Sequence, residues 1–447
     1  MKRGRAATAR NRAVEGLRKV LEQGRKAAPL SGELGRGLSP PDQDLLRELV
    51  LGVLRWKFSL DAEIAAVCRV PMGKLAPNLR EIMEVALYQL RHLDRVPSYA
   101  AVSEAVDHAR ESGGEGAAKL VNGVLRGILL QPPPTAPSAP RETGDGRRKT
   151  ADLARFFSHP VFLVERWLER FGPEATRRIL ASDNASPRLD LLTNPRRTSR
   201  DALAAALATQ SIETEPSPLD PLALTVLGGN PLRSALHSAG HFSVQDVGAQ
   251  LLPLLLPEGD LLVDLGAAPG GKSLSAIAHG RVKAAAAVDR SLSRLTRIVE
   301  NTRRLGFPEV RAVAGDFAAL PFAEGRCDRV LLDAPCSGTG TLRKNPEIRY
   351  RVTAGAIERI ARAQEEALVS SARLLAPGGF LLYSTCSLEE EENERVVKRA
   401  LGRSPDLEPV AIAVPPELRG FVSGNRLRLF PDERTDGFTA HLLRRAR

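Results

Sequence analysis

The sequence predicts at least two domains, an all-helical N-terminal domain followed by an α/β domain with a parallel sheet covered by helices. Residues 1–131 repeat apolar positions at helical spacing. From His237 onward, short apolar strands alternate with helical stretches, as in parallel sheets. Between these regions, residues 132–150 are rich in proline, glycine and charge. At 447 residues the chain is long enough for two or three hydrophobic cores.

The helical pattern of the N-terminal domain is clearest in three stretches. In each, apolar residues recur at i, i+3 and i+4, which places them on one face of a helix. Prolines such as Pro71 and Pro97 separate the stretches. The three predicted apolar faces consist of Leu45, Leu46, Leu49, Val50, Val53 and Leu54; Leu79, Ile82, Met83, Ala86, Leu87 and Leu90; and Leu120, Val121, Val124, Leu125, Ile128 and Leu129.

The middle of the chain predicts a linker and a small subdomain. Residues 132–150 begin with three prolines and hold almost nothing to bury, which is typical of a flexible linker with an extended start. Residues 151–236 combine a helical stretch at 162–180 with a strand-like stretch at 189–193, and we expect a small α+β subdomain. The α/β domain then takes up residues 237–447, with predicted strands at 261–265, 284–288, 310–314, 329–332 and 380–384.

The charge balance favours an anionic partner. The chain holds 64 Lys and Arg against 53 Asp and Glu, a formal net charge of +11. A polyanion such as RNA is attracted by such an excess without any reading of its sequence, although an ordinary basic surface explains the charge equally well. The basic clusters Arg3/Arg5/Arg10/Arg12 and Arg147/Arg148/Lys149 are open to both interpretations.

Cysteine and histidine usage indicates a reduced cytoplasmic protein without a metal site. The four cysteines are too far apart for a CxxC zinc site and too few for a disulfide scaffold. The seven histidines form no metal-like cluster, so we expect no metal. The basic N-terminus is not followed by an apolar segment, and no apolar run has the length of a membrane span. We expect a monomer that does not associate with membranes.

A glycine-rich loop follows the first strand of the α/β domain. It consists of Gly266, Ala267, Ala268, Pro269, Gly270, Gly271, Lys272 and Ser273. As a string it satisfies the P-loop pattern GxxxxGK[ST], so an ATPase is the competing hypothesis. Three carboxylates favour a nucleoside cofactor instead, because acidic residues at strand ends can accept hydrogen bonds from ribose hydroxyls. They are Asp289, Asp316 and Asp333, each at or just after a predicted strand.

Two cysteines also follow predicted strands, where ligands bind in α/β sheets. Cys336 lies three residues after Asp333, and Cys386 follows Ser384-Thr385. ATP hydrolysis has no use for such cysteines, but methylation of cytosine does. Carbon 5 becomes nucleophilic enough to accept a methyl group once a thiolate has added to carbon 6. A free thiol has a pKa of about 8.5, so a nearby positive charge must help to form the thiolate.

These segments resemble those of the bacterial small-subunit ribosomal RNA 5-methylcytosine methyltransferases of the Sun/Fmu type. Two cysteine motifs in this order, after this loop, are highly specific. The helical N-terminal region in turn resembles the NusB-like RNA-binding domain of these enzymes, and the stretches that carry this likeness are Arg47–Arg55, Ile82–Leu90, Val96–Ala109 and Lys119–Ile128. The segments that carry the resemblance in the α/β domain are 240–246, 267–272, 333–340, 343–346, 375–379, 384–387, 392–394 and 436–438.

The resemblance implies a Rossmann-like catalytic domain that uses S-adenosyl-L-methionine to methylate carbon 5 of a specific cytosine in RNA. It implies that Cys386 is the nucleophile and that Cys336 helps to release the product. Small-subunit ribosomal RNA is the expected substrate, with transfer RNA as the alternative. The residues implied in cofactor binding are Gly266, Ala267, Ala268, Pro269, Gly270, Gly271, Lys272, Asp289, Asp316 and Asp333.

Two positions qualify this assignment. The family often has cysteine where this chain has Gly266, and Lys272 is equally suited to contact the base or a phosphate. The acidic run Glu389–Glu392 is interpreted as the charged start of a helix, where carboxylates complement the helix dipole.

Overall fold

The computed structural model describes residues 8–135, 146–317 and 319–446. Its contacts divide the chain into two compact units, Met1–Ala185 with Leu342–Arg351, and Ser186–Thr341 with Val352–Arg447. Among the described residues, no helix is long and apolar enough to cross a membrane. Within the same ranges, no three His, Cys, Asp or Glu side chains are grouped as metal ligands would be.

The first unit is helical throughout its described part, as the sequence predicts. The three predicted apolar faces lie on the helices Pro40–Val67, Pro77–His92 and Ser98–Leu129. Most of their residues are buried in one core with Leu17 of the helix Ala9–Gln23, whereas Leu129 is exposed. Ser39 is the N-cap of the helix Pro40–Val67, because its hydroxyl accepts a hydrogen bond from the Asp42 amide. Pro40 follows in the first turn of the helix, where proline is tolerated. The helices are α1 (Ala9–Gln23), α2 (Ala27–Leu34), α3 (Pro40–Val67), α4 (Pro77–His92), α5 (Ser98–Leu129), α6 (Gly146–Phe156) and α7 (Val161–Asn184).

A ten-residue segment from far along the chain, Leu342–Arg351, completes the helical unit. Its Arg349 is buried and donates hydrogen bonds to the carbonyl oxygens of Arg55, Ser158 and Asp183. Burial lowers the pKa of this guanidinium to about 10, which leaves it charged at neutral pH. Arg349 thus joins α3, α7 and the turn between α6 and α7.

Replacing Arg349 with methionine should lower the free energy of unfolding of the helical unit by about 3 kcal/mol, because three buried carbonyls lose their donor. Both tryptophans of the chain, Trp56 and Trp167, lie in this unit, so urea unfolding followed by their fluorescence measures it selectively. The exposed Arg362 provides the control Arg362→Met. An unchanged urea midpoint in Arg349→Met would contradict this role.

The second unit contains two sheets. Their strands are β1 (Leu189–Thr193), β2 (Glu213–Pro216), β3 (Ala223–Gly228), β4 (Phe242–Val244), β5 (Gly259–Leu265), β6 (Val282–Asp289), β7 (Val310–Ala314), β8 (Cys327–Asp333), β9 (Leu375–Thr385), β10 (Leu407–Pro409), β11 (Val422–Ser423), β12 (Arg426–Leu429) and β13 (Phe438–Arg445). The smaller sheet is antiparallel, with the strand order β2-β3-β1-β4. The larger sheet has the strand order β11-β12-β13-β9-β8-β5-β6-β7, and β10 pairs with β13.

The strands β5 to β9 of the larger sheet pair in parallel and contain the five strands predicted for the α/β domain. Successive residues of a strand point to opposite faces of the sheet, and each face is covered by its own hydrophobic core. Leu331 packs in the core on one face and Leu332 in the core on the other. The helices of this unit are α8 (Arg200–Ala208), α9 (Ala235–Ser238), α10 (Val247–Leu251), α11 (Gly271–Ala278), α12 (Leu292–Leu305), α13 (Ala354–Arg373) and α14 (Glu394–Arg403). Helices α10 to α12 pack on the face of the sheet that holds Leu331, and α13 and α14 pack on the face that holds Leu332.

The structure differs from the sequence-based boundaries in two places. Helix α6 begins at Gly146, so the last five residues of the predicted linker are helical, while residues 136–145 and Arg3 and Arg5 lie outside the described residues. The predicted subdomain 151–236 is divided, because α6 and α7 belong to the helical unit whereas β1 pairs with β4, beyond residue 236. Long-range strand pairing, which local composition does not reveal, sets this second boundary.

Candidate active site

The predicted site residues lie at the carboxyl ends of parallel strands. Strand β5 lies between β6 and β8. The chain leaves β5 towards β6 on one side of the sheet and leaves β8 towards β9 on the other, so the two connections diverge. Such a point in a doubly wound sheet leaves a crevice where ligands bind. The glycine-rich loop follows β5, Asp289 ends β6, and Asp333 ends β8.

The backbone of the glycine-rich loop is held against β6. The amides of Gly266 and Ala267 both donate to the carbonyl oxygen of Val288, at 2.9 Å. Gly266 has a φ of 78°, and a Cβ at this position would lie 2.5 Å from the carbonyl oxygen of Asp333. A cysteine at residue 266 would therefore require the loop or β8 to shift, and glycine permits this close approach.

The end of the loop is arranged differently from a P-loop. In a P-loop the lysine reaches the phosphates and the following hydroxyl binds Mg²⁺. Here Lys272 Nζ contacts Asp333 Oδ2 at 2.6 Å, and the buried Ser273 hydroxyl donates to Asp264 Oδ2 at 2.6 Å. Both groups that would serve a nucleoside triphosphate are therefore engaged by carboxylates of the sheet.

Lys272 brings a positive charge to the site. Burial disfavours its charged form, but Asp333, Asp264 and the charge of Cys386 outweigh that effect and raise the pKa of Lys272 above its ordinary value. The ammonium therefore persists at neutral pH. Lys272 therefore brings to the site a positive charge that interacts with Cys386.

Two buried carboxylates present an oxygen without a hydrogen-bond partner. Asp289 accepts hydrogen bonds at Oδ1 from the Ser291 amide, and Arg294 lies 3.0 Å from the same oxygen, whereas Oδ2 has no partner. Asp264 Oδ1 is likewise unpartnered, and burial raises the pKa of Asp264 to about 6. Because buried polar atoms usually have a partner, these two oxygens are available to accept hydrogen bonds from a ligand in the crevice.

Asp316 is more exposed than the other predicted carboxylates. It lies two residues after β7, about half of its side chain is accessible, and Arg290 approaches it at 3.7 Å. The structure therefore places Asp316 at the rim of the strand ends and Asp289 inside.

The two predicted cysteines are adjacent. Cys336 Sγ and Cys386 Sγ lie 3.2 Å apart and share a hydrogen bond. That hydrogen bond, followed by burial and by the charges of Cys386, Glu392 and Asp333, raises the pKa of Cys336 well above its ordinary value. Cys336 therefore remains a thiol at neutral pH, while the positive charge of Lys272 acts on Cys386.

The Cys386 loop is fixed by Asn393, which lies in the segment 392–394 that carries the resemblance but was not predicted to be a site residue. Asn393 Oδ1 accepts a hydrogen bond from Thr385 Oγ1 at 2.7 Å, and its Nδ2 donates to the carbonyl oxygen of Ser387 at 3.0 Å. The Gly340 amide donates to the Cys386 carbonyl at 2.9 Å, and the Gly437 amide to the Gly340 carbonyl at 2.7 Å. Segments around both cysteines and residues 436–438 are thereby joined.

The acidic run Glu389–Glu392 was predicted to be the charged start of a helix, and a 3-10 helix does span Glu390–Glu392. Helix α14 begins later, at Glu394, and Glu389, Glu391 and Glu392 are buried. Glu392 lies between the two cysteine loops, where it accepts hydrogen bonds from Ser337 and Ser387. Burial raises the pKa of Glu392, and these donated hydrogen bonds oppose the rise. The signal available in the sequence was the spacing of residues 392–394 after the second cysteine motif.

Three family models match the chain in succession. The NusB family matches residues 7–129, and an RsmF/B-like ferredoxin-like domain matches residues 159–233. The model described as 16S rRNA methyltransferase RsmB/F matches residues 251–444, which include every predicted site residue.

Similar proteins match over nearly the whole chain. A probable ribosomal RNA small subunit methyltransferase B from Synechocystis sp. is 35% identical over 425 residues, 92% of each chain. The ribosomal RNA small subunit methyltransferase B of Klebsiella pneumoniae (strain 342) is 33% identical over 439 residues, 96% of each chain. The crystal structure of PH0851 is 25% identical with a TM-score of 0.78, and the match covers 99% of this chain and 100% of that one.

Proposed function

The chain belongs to the ribosomal RNA small subunit methyltransferase B family, and on that premise we propose that it methylates carbon 5 of a cytosine in small-subunit ribosomal RNA with S-adenosylmethionine. Membership confirms the resemblance, the assignment as an RNA methyltransferase and the fold class, a NusB-like helical domain followed by an α/β methyltransferase domain. The observation that carries the proposal is the pair of sulfur atoms 3.2 Å apart at the strand ends.

The crevice suits S-adenosylmethionine. The unpartnered Asp289 Oδ2 ends β6, where a carboxylate accepts hydrogen bonds from ribose hydroxyls, and the glycine-rich loop permits close approach of a ligand to the backbone. Asp289, the loop 266–272 and Asp333 would hold the cofactor, with Asp316 at the rim. When bound, the cofactor supplies an electrophilic methyl group on a sulfonium.

The two cysteines divide the chemistry. With the target base taken out of its stack, Cys386 Sγ attacks carbon 6 of cytosine as a thiolate, and the Lys272 ammonium supplies a positive charge that interacts with Cys386. Carbon 5 then accepts the methyl group. For release, a base takes the proton from carbon 5 and the bond between Cys386 Sγ and carbon 6 breaks. Cys336, which is held as a thiol beside Cys386, assists by donating a proton to the departing Cys386 thiolate. The net charge of +11 favours RNA as the substrate.

Replacing Asp289 with asparagine should weaken cofactor binding about 10- to 100-fold, because a neutral amide is a poorer acceptor for two ribose hydroxyls than a carboxylate. Calorimetric titration with S-adenosylhomocysteine measures this directly. Asp260→Asn is the control, since Asp260 is exposed and pairs with Lys283. A dissociation constant within twofold of the wild-type value would remove Asp289 from the cofactor site.

The proposed function is tested by incubating the protein with S-adenosylmethionine labelled in its methyl group and unmodified small-subunit ribosomal RNA. We expect label in 5-methylcytosine after digestion of the RNA to nucleosides. Transfer RNA is assayed in parallel. Label in transfer RNA alone would overturn the substrate, and label in another nucleoside would overturn the chemistry.

A further inference from the structure

Glu392 is a fully buried carboxylate that accepts hydrogen bonds from four donors. Its Oε1 accepts from the Ser337 amide at 2.7 Å and from Gln364 Nε2 at 3.2 Å. Its Oε2 accepts from the hydroxyls of Ser337 and Ser387. Burying an isolated carboxylate is costly, and this number of donors is what makes the position tenable.

The donors come from the two cysteine loops. Ser337 directly follows Cys336 and Ser387 directly follows Cys386, so one carboxylate binds the neighbour of each cysteine. The two serine hydroxyls also lie 3.1 Å apart, which closes a ring of three side chains. The loops are about 50 residues apart in sequence, and Glu392 is a direct side-chain bridge between them.

We propose that Glu392 is a positioning residue for methyl transfer, whose carboxylate fixes the two cysteine loops at the separation that attack by Cys386 and release by Cys336 both require. This inference rests on the proposed function. Glu392 does not touch the reacting atoms; it acts through Ser337 and Ser387.

The bridge is itself held on both sides. Gln364, on α13, donates both to Glu392 and to the carbonyl oxygen of Pro335, at 2.8 Å. The Tyr383 hydroxyl, on β9, donates to the backbone carbonyl of Glu392. Because its supports belong to a helix and a strand, the carboxylate has little freedom to follow either loop if that loop moves. Its negative charge also favours the thiol form of Cys336.

Replacing Glu392 with glutamine keeps the size of the side chain but removes the charge and puts an amide donor where two serine hydroxyls now donate. We expect kcat to fall about 10- to 100-fold, because small displacements of reacting groups have effects of that size. KM for RNA and for cofactor should stay within threefold. Glu365→Gln is the matched control, since Glu365 lies beside Gln364 on α13 but pairs with Arg399 and Arg403. A kcat within threefold of the wild-type value in folded Glu392→Gln, judged by its melting temperature, would overturn the proposal.

A double-mutant cycle separates positioning from a general loss of stability. If Glu392 acts through the serines, Ser337→Ala with Ser387→Ala should lower kcat similarly, and adding Glu392→Gln should lower it little further. Full additivity of the effects would contradict a shared role. The serine variants also keep the proposal testable if Glu392→Gln does not fold.

The separation of the sulfur atoms is measured without RNA by oxidation with diamide. Cys336 and Cys386 lose two protons and two electrons in forming a disulfide, and diamide takes them up to become a hydrazine. The wild type should cross-link rapidly, and Glu392→Gln at least about tenfold more slowly. Equal rates of disulfide formation in the two proteins would contradict the positioning role of Glu392. Absence of a disulfide in the wild type would contradict the 3.2 Å distance between the two sulfur atoms, on which that role depends. Because this assay needs no methylation, failure of the bridge is distinguishable from failure of the proposed function.

Discussion

Alanine at position 386 is expected to reduce methyl transfer to RNA by about 10⁴-fold or more and to leave no covalent protein–RNA adduct. Cys386 is the first residue after β9, and the Lys272 ammonium, whose pKa is raised, interacts with its charge. Without a nucleophile at carbon 6, carbon 5 of cytosine is too weakly nucleophilic to accept the methyl group. Binding of S-adenosylhomocysteine should stay within about threefold of the wild-type value, because the backbone around residue 386 is held by Asn393 and Gly340 rather than by the thiol.

Single-turnover transfer of labelled methyl groups, followed by denaturing gels, measures both quantities for the Cys386→Ala variant. Cys68→Ala is the control, since Cys68 lies in the helical unit, away from both cysteine loops in sequence and in its packing. Methyl transfer at more than a few per cent of the wild-type rate would show that Cys386 is not the nucleophile.

The parts of the site that the sequence predicted are the parts set by local patterns. Strands β5 to β9 are short apolar runs, and the glycine-rich loop and both cysteines directly follow such runs. Because parallel strands bring their carboxyl ends to one edge, strand ends identified one at a time could be placed together. Cys336 and Cys386 were in this way predicted at one site, although 50 residues separate them.

The parts that the sequence did not predict depend on long-range contacts. The charged run at residues 389–392 has the composition of a helix start, but its burial is not visible in that composition. The donors from Ser337, Ser387 and Gln364 explain why Glu392 is buried. Arg349 is likewise buried because carbonyl oxygens 294 and 191 residues earlier in the chain accept its hydrogen bonds. In both cases a charged side chain is buried where distant polar partners replace water, and composition carries no record of those partners.

Alanine at position 336 is expected to do the opposite of alanine at 386: the covalent protein–RNA adduct should accumulate. Attack on carbon 6 needs only Cys386, so the first methyl transfer should proceed at close to the wild-type rate. Release, which Cys336 assists from 3.2 Å away, should slow about 100-fold, the usual contribution of a side chain that takes part in proton transfer. Multiple turnover should therefore fall by a similar factor while a burst of one methyl group per enzyme remains.

The burst and the adduct are read on the same denaturing gels, with methyl-labelled cofactor. Cys336→Ala combined with Cys386→Ala is the decisive control, because an adduct that depends on Cys386 Sγ must vanish in the double variant. Cys336 is held as a thiol by its hydrogen bond to Cys386, by burial and by the nearby Glu392 and Asp333, and this suits a group needed after the attack rather than for it. Loss of the burst itself in the Cys336→Ala variant would mean that the two cysteines exchange roles, although the positive charge of Lys272 interacts with Cys386.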